Sequence, residues 1–249
     1  MFEPRGGLRR IEQRAFACLE VCRQKSGYDV IPLPVPIEQW IEGPLGIRFG
    51  VGDLSYIGLN VLGGAFVRER EIVVSERALS HEGRFRFTCA HELGHIILHR
   101  KVQSVFHDLA YADPFETMKY EREANLFAAA FLMPMPLLER EVFRICDDLK
   151  LDLQTCLVEL MLVATESEDL WRLHFLPEIS RRFSVSLTAA LIRCSDLCLQ
   201  SSDERPFLPS AVAKRIQDRA ALERPNVAAK LVDGKPEASR AVRQGILFD

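Results

Sequence analysis

Arg86-Phe87-Thr88-Cys89-Ala90-His91-Glu92-Leu93-Gly94-His95-Ile96-Ile97-Leu98-His99 runs for about four helical turns, and no proline interrupts residues 84–100. His91 and His95 stand four residues apart. On a helix they share one face, about 40° apart around the axis, so both imidazoles can reach one ion. Glu92 projects to the side of that ion, where a carboxylate can take a proton from a metal-activated water. Phe87, His91, His95 and Leu98 form one stripe at helical spacing, so the histidines look into a partly apolar pocket. Gly94 has no helix-forming reason to sit between the histidines; a bare position there fits close approach by another backbone.

A hydrolytic zinc usually takes three protein ligands and leaves a fourth position for water. Leu98 and Lys101 occupy the places where a longer histidine motif would carry its glycine and third histidine. A carboxylate on a second helix is the alternative. Asp113-Pro114 with Glu116 is a helix start signal, and Pro134 stops the same helix. Three acids compete on it. Glu116 is spent on the cap. Tyr120, Ala124, Phe127 and Phe131 make the apolar stripe, with Glu121 and Asn125 at its edge. Glu123 projects the opposite way beside Lys119 and reads as half of a solvated ion pair. Glu121, 26 residues beyond His95, is therefore the ligand candidate. Asn125, one turn on, is placed to hydrogen-bond a ligand histidine and fix its tautomer; His99 reads as a similar outer partner or as packing.

Working outward, the chain has 249 residues, 48% of them apolar, and a net charge of −3, which gives no electrostatic case for nucleic-acid binding. The N-terminus lacks an apolar signal core, and the longest apolar run, 126–138, contains Pro134 and Pro136 and is too short to cross a bilayer. The expectation is a cytoplasmic protein with no membrane contact. The seven cysteines read as reduced thiols. Cys18/Cys22 and Cys194/Cys198 are each spaced to share a helix face as apolar filler, and Cys89 points away from the histidines as packing.

Helices are expected over 8–25, 37–43, 83–100, 114–133, 136–150, 152–164, 170–182 and 186–199, with strands near 47–49, 56–62, 64–68 and 71–75. The last strand, just upstream of the metal helix, is the expected sheet edge on which an extended substrate would pair. This gives an α+β fold. A peptidase-like domain spans 1–140, with a small mixed or antiparallel sheet packed on the two site helices. A helical subdomain follows over 141–200, then a tail, partly helical or flexible, over 201–249. His99, His107, Tyr111, Tyr120 and His174 are oxyanion-donor candidates by residue type alone; His81 has no supporting context.

Residues 86–99, followed by Glu121-Arg122-Glu123-Ala124-Asn125-Leu126-Phe127-Ala128-Ala129-Ala130-Phe131-Leu132-Met133-Pro134, resemble the ImmA/IrrE family of metallo-endopeptidases. Pro34-Val35-Pro36-Ile37-Glu38 and Leu45-Gly46-Ile47 resemble that family's entry segment. The resemblance covers about 30–135 well and extends weakly to about 198. It implies a zincin-like fold, with His91, His95 and Glu121 as zinc ligands and Glu92 as general base. It also implies a helix-turn-helix repressor as the protein cut. Zn2+ is the expected ion, and the same donor set accepts Mn2+ or Fe2+. Many relatives carry an N-terminal helix-turn-helix domain, for which this chain has no room. Residues 178–197 resemble the helix-turn-helix-like segment that follows the peptidase core, with Arg181, Arg182 and Arg193 as DNA-reading candidates; helical packing on the core is the plainer reading. Two other functions stay open: a non-catalytic zinc-binding regulator that sequesters a repressor, and a DNA-binding regulator using 178–197.

Overall fold

The computed structural model describes residues 2–58, 61–101, 114–200 and 205–223. Its elements are β1 (Phe2–Pro4), α1 (Arg9–Lys25), α2 (Ile37–Glu42), β2 (Arg48–Gly52), β3 (Gly63–Phe66), β4 (Glu71–Ser75), α3 (Glu82–Leu98), α4 (Pro114–Leu132), α5 (Met135–Asp148), α6 (Leu153–Leu160), α7 (Thr165–Leu170), α8 (Leu176–Phe183), α9 (Leu187–Ser195), β5 (Leu197–Leu199) and α10 (Ser210–Glu223). Asp113 and the side chain of Glu116, expected to cap α4, lie outside the described residues, as do 201–204 and 224–249 of the tail.

The centre is the α3–α4 pair, with α1 laid across α4. α1 buries Ala15, Cys18, Leu19 and Cys22, a stripe at helical spacing. On α4, Phe127 stacks on Phe131, which meets the Trp40 ring of α2 edge-on. Buried Ala90 and Leu93 of α3 belong to the same core. All seven cysteines are buried and none forms a disulfide, consistent with apolar filler.

The three-stranded sheet runs β2-β4-β3, with β2 parallel and β3 antiparallel to β4. This corrects the expected edge: Glu71–Ser75 is the central strand, burying Ile72 and Val74, and β3 is a terminal strand. Proximity to α3 in sequence says nothing about sheet order, because β4 inserts between the two earlier strands. No strand forms at 56–58 or 61–62. There the Asp53 carboxylate accepts from the Ser55 amide and hydroxyl, both at 2.8 Å, and Ile57 N–H donates to Leu54 O. Such side-chain turns compete with ladder formation.

The segment expected as a helix over 170–182 begins earlier, with α7 joined to α8 through a π-helical turn at Trp171–Phe175. α9 ends at Ser195, and 197–199 form a strand, so this region is not wholly helical and Cys198 does not share a helix face with Cys194. β5 pairs antiparallel with β1, Phe2 opposite Leu199 and Pro4 opposite Leu197, joining the chain's first residues to a segment almost two hundred positions on. Three-residue strands carry too little alternation to be read locally.

Candidate metal centre

α3 and α4 approach closely where Gly94 faces Ala124. A Cβ at Gly94 would lie 3.2 Å from Ala124 Cα and 3.2 Å from its carbonyl oxygen, so the bare position lets the backbones close. The N-terminal half of α3 is fixed from elsewhere. Arg86, buried, donates through Nε to Ser184 O (3.1 Å) and through Nη2 to Val35 O (2.7 Å). Ser184 Oγ donates to Glu82 Oε1, and a Cβ at Gly83 would sit 2.9 Å from Ser186 N. The turn between α8 and α9 is therefore seated on the start of the histidine helix.

Arg193 is buried and forks onto Glu12, Arg181 pairs with Glu178, and Arg182 approaches Glu141 at 3.4 Å. The three arginines serve intrachain carboxylates, which fits packing on the core.

The crossing of α3 and α4 brings His91, His95 and Glu121 together, with one ligand atom from each within 4.8 Å of the others. His91 Nε2 is 3.1 Å from His95 Nε2 and 3.1 Å from Glu121 Oε2, and His95 Nε2 is 3.3 Å from Glu121 Oε1. Two atoms each bound at about 2.0–2.1 Å to a tetrahedral ion stand roughly 3.4 Å apart, which is this spacing.

Proton positions follow from the outer partners. Asn125 Oδ1 lies 2.9 Å from His91 Nδ1 and can only accept, so Nδ1 carries the proton and Nε2 keeps its lone pair. On the other side, His99 Nε2 donates to Glu123 Oε2 at 3.0 Å. In neutral His99, Nδ1 then accepts, and its neighbour at 3.1 Å, His95 Nδ1, is the donor. His95 Nε2 is left with a lone pair as well. Two imidazole lone pairs and a carboxylate thus converge with no hydrogen among them, a donor set that fits a divalent cation such as zinc.

The charge balance of the metal-free cluster agrees. Burial opposes protonation of His91, but Glu121 and Glu92 outweigh it and lift its pKa above the ordinary value, so a proton is drawn to where a cation would sit. Burial dominates at His95 and pushes its pKa down to about 4. Burial alone would raise Glu121, yet the closeness of His91 and His95 holds it far below the carboxylate range. The Glu92 carboxylate makes no hydrogen bond among the described residues. Burial, with Glu121 nearby, raises it to about 7.

Glu92 lies between α3 and β3. A Cβ at Gly63 would fall 2.5 Å from Glu92 Oε1 and 2.7 Å from Thr88 Cγ2, so the terminal strand of the sheet touches the acid directly. In the sequence, only the Gly63-Gly64 pair marks this contact. Glu123 also departs from expectation. That side chain is not half of an exposed pair with Lys119, whose ammonium lies over the Tyr120 ring; it is bonded to His99. Glu121 and Glu123 flank the Tyr120–Ala124 stripe from its two sides, and both carboxylates reach back to the histidines of the crossing helix. Of the oxyanion candidates, Tyr120 stacks obliquely on His99 (4.9 Å between centroids), His174 is exposed on the π-helical turn, and His107 and Tyr111 lie outside the described residues.

Residues 47–195 match the IrrE N-terminal-like domain of the Peptidase M78 family. A stretch of 88 residues is 38% identical to the radiation response metalloprotease IrrE of Deinococcus radiodurans; it covers 34% of this chain and 26% of that protein. The chain thus spans about a quarter of the length of this curated relative. Among the described residues, no helix is long and apolar enough to cross a membrane. With more than half its length inside the family match, and a His-His-Glu group at the crossing of α3 and α4, the chain belongs to the ImmA/IrrE (Peptidase M78) family of metallopeptidases.

Proposed function

We propose that the chain is a zinc-dependent endopeptidase of the cytoplasm whose substrate is a helix-turn-helix transcriptional repressor. The observation that carries the enzymatic reading is the pairing of a three-ligand donor set with a buried carboxylate beside it that is outside that set. A structural zinc is normally closed by four protein ligands. Here the described residues supply three, and Glu92, next to His91 in sequence, is not one of them.

When bound, a divalent cation supplies Lewis acidity, polarising a peptide carbonyl and acidifying a water. The chain's own residues do the rest. His91, His95 and Glu121 hold the ion, with Asn125 and His99 keeping the two imidazoles in the tautomer that presents Nε2. Glu92, buried beside the donor set, is placed to accept a proton from the attacking water and return it to the leaving amine. β3, the terminal strand that abuts Glu92 through Gly63, offers its outer edge to an extended peptide, which would bring the scissile bond beside the acid. The repressor as substrate rests on the family resemblance.

Zinc-loaded protein incubated with the helix-turn-helix repressor encoded by a neighbouring gene, with fragment masses as the readout, tests the proposal. Cleavage is expected at a single site, and Glu92→Gln should keep the ion and lose cleavage by about a thousandfold or more, as expected when general-base catalysis is removed from a polarised site. Biological output that survives intact in Glu92→Gln would favour sequestration over hydrolysis.

A further inference from the structure

We propose that Glu123 and His99 form a positioning relay, Glu123–His99–His95, that fixes the proton of His95 on Nδ1 and so tunes how tightly the site holds its metal. This deepens the metallopeptidase reading and rests on it.

The relay is a chain of two hydrogen bonds leading away from the metal centre. The Glu123 carboxylate accepts from His99 Nε2 at 3.0 Å, and His99 Nδ1 accepts from His95 Nδ1 at 3.1 Å. Each link determines the next. A carboxylate can only accept, which sets the His99 tautomer, and that tautomer leaves an acceptor facing His95. His99 is 2% exposed and held under the Tyr120 ring, so it has little freedom to turn. It is the C-cap of α3, one helical turn beyond His95, which places its ring beside that of the ligand (5.2 Å between centroids). The carboxylate end is one-third exposed, so the negative charge stays solvated while its hydrogen bond reaches inward.

The two ligand histidines are therefore served differently. His91 has a neutral amide as its outer partner, and His95 has a second imidazole ending in a carboxylate. A carboxylate behind an imidazole increases its donor strength, and removing such an outer partner typically costs 10–100-fold in metal affinity. The relay makes His95 the stronger donor of the pair and puts its control on α4, two residues from the third ligand.

Zinc affinity measured by competition with a chromophoric chelator, with folding followed by circular dichroism, tests the proposal. Glu123→Gln keeps shape and packing at a partly exposed position, so it separates relay from structure. We expect it to weaken zinc binding about tenfold. His99→Ala should do at least as much, and the double variant should bind no more weakly than His99→Ala alone, because both changes cut one chain. Lys119→Ala, which would mimic Glu123→Gln if that acid served a surface ion pair, should leave affinity unchanged. Nitrogen-15 spectra of the zinc-loaded protein should show His99 protonated on Nε2 in the wild type and a mixture of tautomers in Glu123→Gln. A packing role would move neither readout. Wild-type binding with Glu123→Gln within about twofold of it, or strictly additive losses, would overturn the relay alone. Failure of the wild-type chain to bind zinc would overturn the relay together with the metal site beneath it.

Discussion

Glu92 is 6% exposed, lies against Gly63 and Thr88, and among the described residues accepts no hydrogen bond that would repay its desolvation. In the metal-free chain this has a measurable cost. Its folded pKa is raised from 4.5 to about 7, so the fold favours the neutral acid. The penalty is absent below pH 4.5, grows as pH rises, and is complete above about 7. A 2.5-unit gap corresponds to about 3 kcal/mol. Glu92→Gln, isosteric and uncharged, should therefore leave stability unchanged at pH 4 and raise it by on the order of 3 kcal/mol at pH 8, with chelator present throughout. Urea denaturation at the two pH values reads this directly, and equal gains at both would mean that the acid is not held in a charge-averse site.

The helix crossing sets the site at the next scale, and Gly94 is its contact point. Gly94→Ala gains about 1 kcal/mol of helix propensity. It also drives a methyl to 3.2 Å from Ala124 Cα and O, backbone atoms that cannot swing aside. Overpacking of this kind typically costs about 1–3 kcal/mol. The expected result is a net loss on the order of 1 kcal/mol, together with weaker zinc binding, because α4 must move away from α3 and carry Glu121 with it. A variant with wild-type affinity and raised stability would show that the crossing is loose. Gly94, the histidine pair and Glu121 were legible in the sequence because each rests on periodicity within one helix, where spacing alone fixes the face. Glu123 was not. It flanks the same apolar stripe as Glu121, and only the course of the crossing helix tells which flank meets solvent and which meets His99. Sheet order was hidden for the same reason. β2 and β3 both pair with β4, and nothing within a five-residue strand records its neighbours.

At the scale of the whole molecule, the first two dozen residues are tied to the segment 193–199 by β1–β5 pairing and by one buried charge. The Arg193 guanidinium, 2% exposed, donates to both Glu12 oxygens, the Nη2–Oε2 bond at 3.0 Å, and its Nε donates to Met133 O at 3.1 Å. It thereby joins α9 to α1 and to the end of α4. A buried cation stripped of its partner is far costlier than the pair is stabilising. Glu12→Ala should therefore destabilise the protein by roughly 3–5 kcal/mol. Replacing both partners, Glu12→Leu with Arg193→Met, should lose much less, because no charge is then left in the core and only the bond to Met133 O goes unmade. The metal site should scarcely notice in either folded variant. Met133 is twelve residues along from Glu121, roughly 18 Å of helix rise, and the crossing at Gly94 lies between them. Denaturation midpoints and zinc affinity measured side by side would separate brace from site. A fall in affinity matching the fall in stability would mean that the crossing of α3 and α4 depends on the α1–α9 clasp.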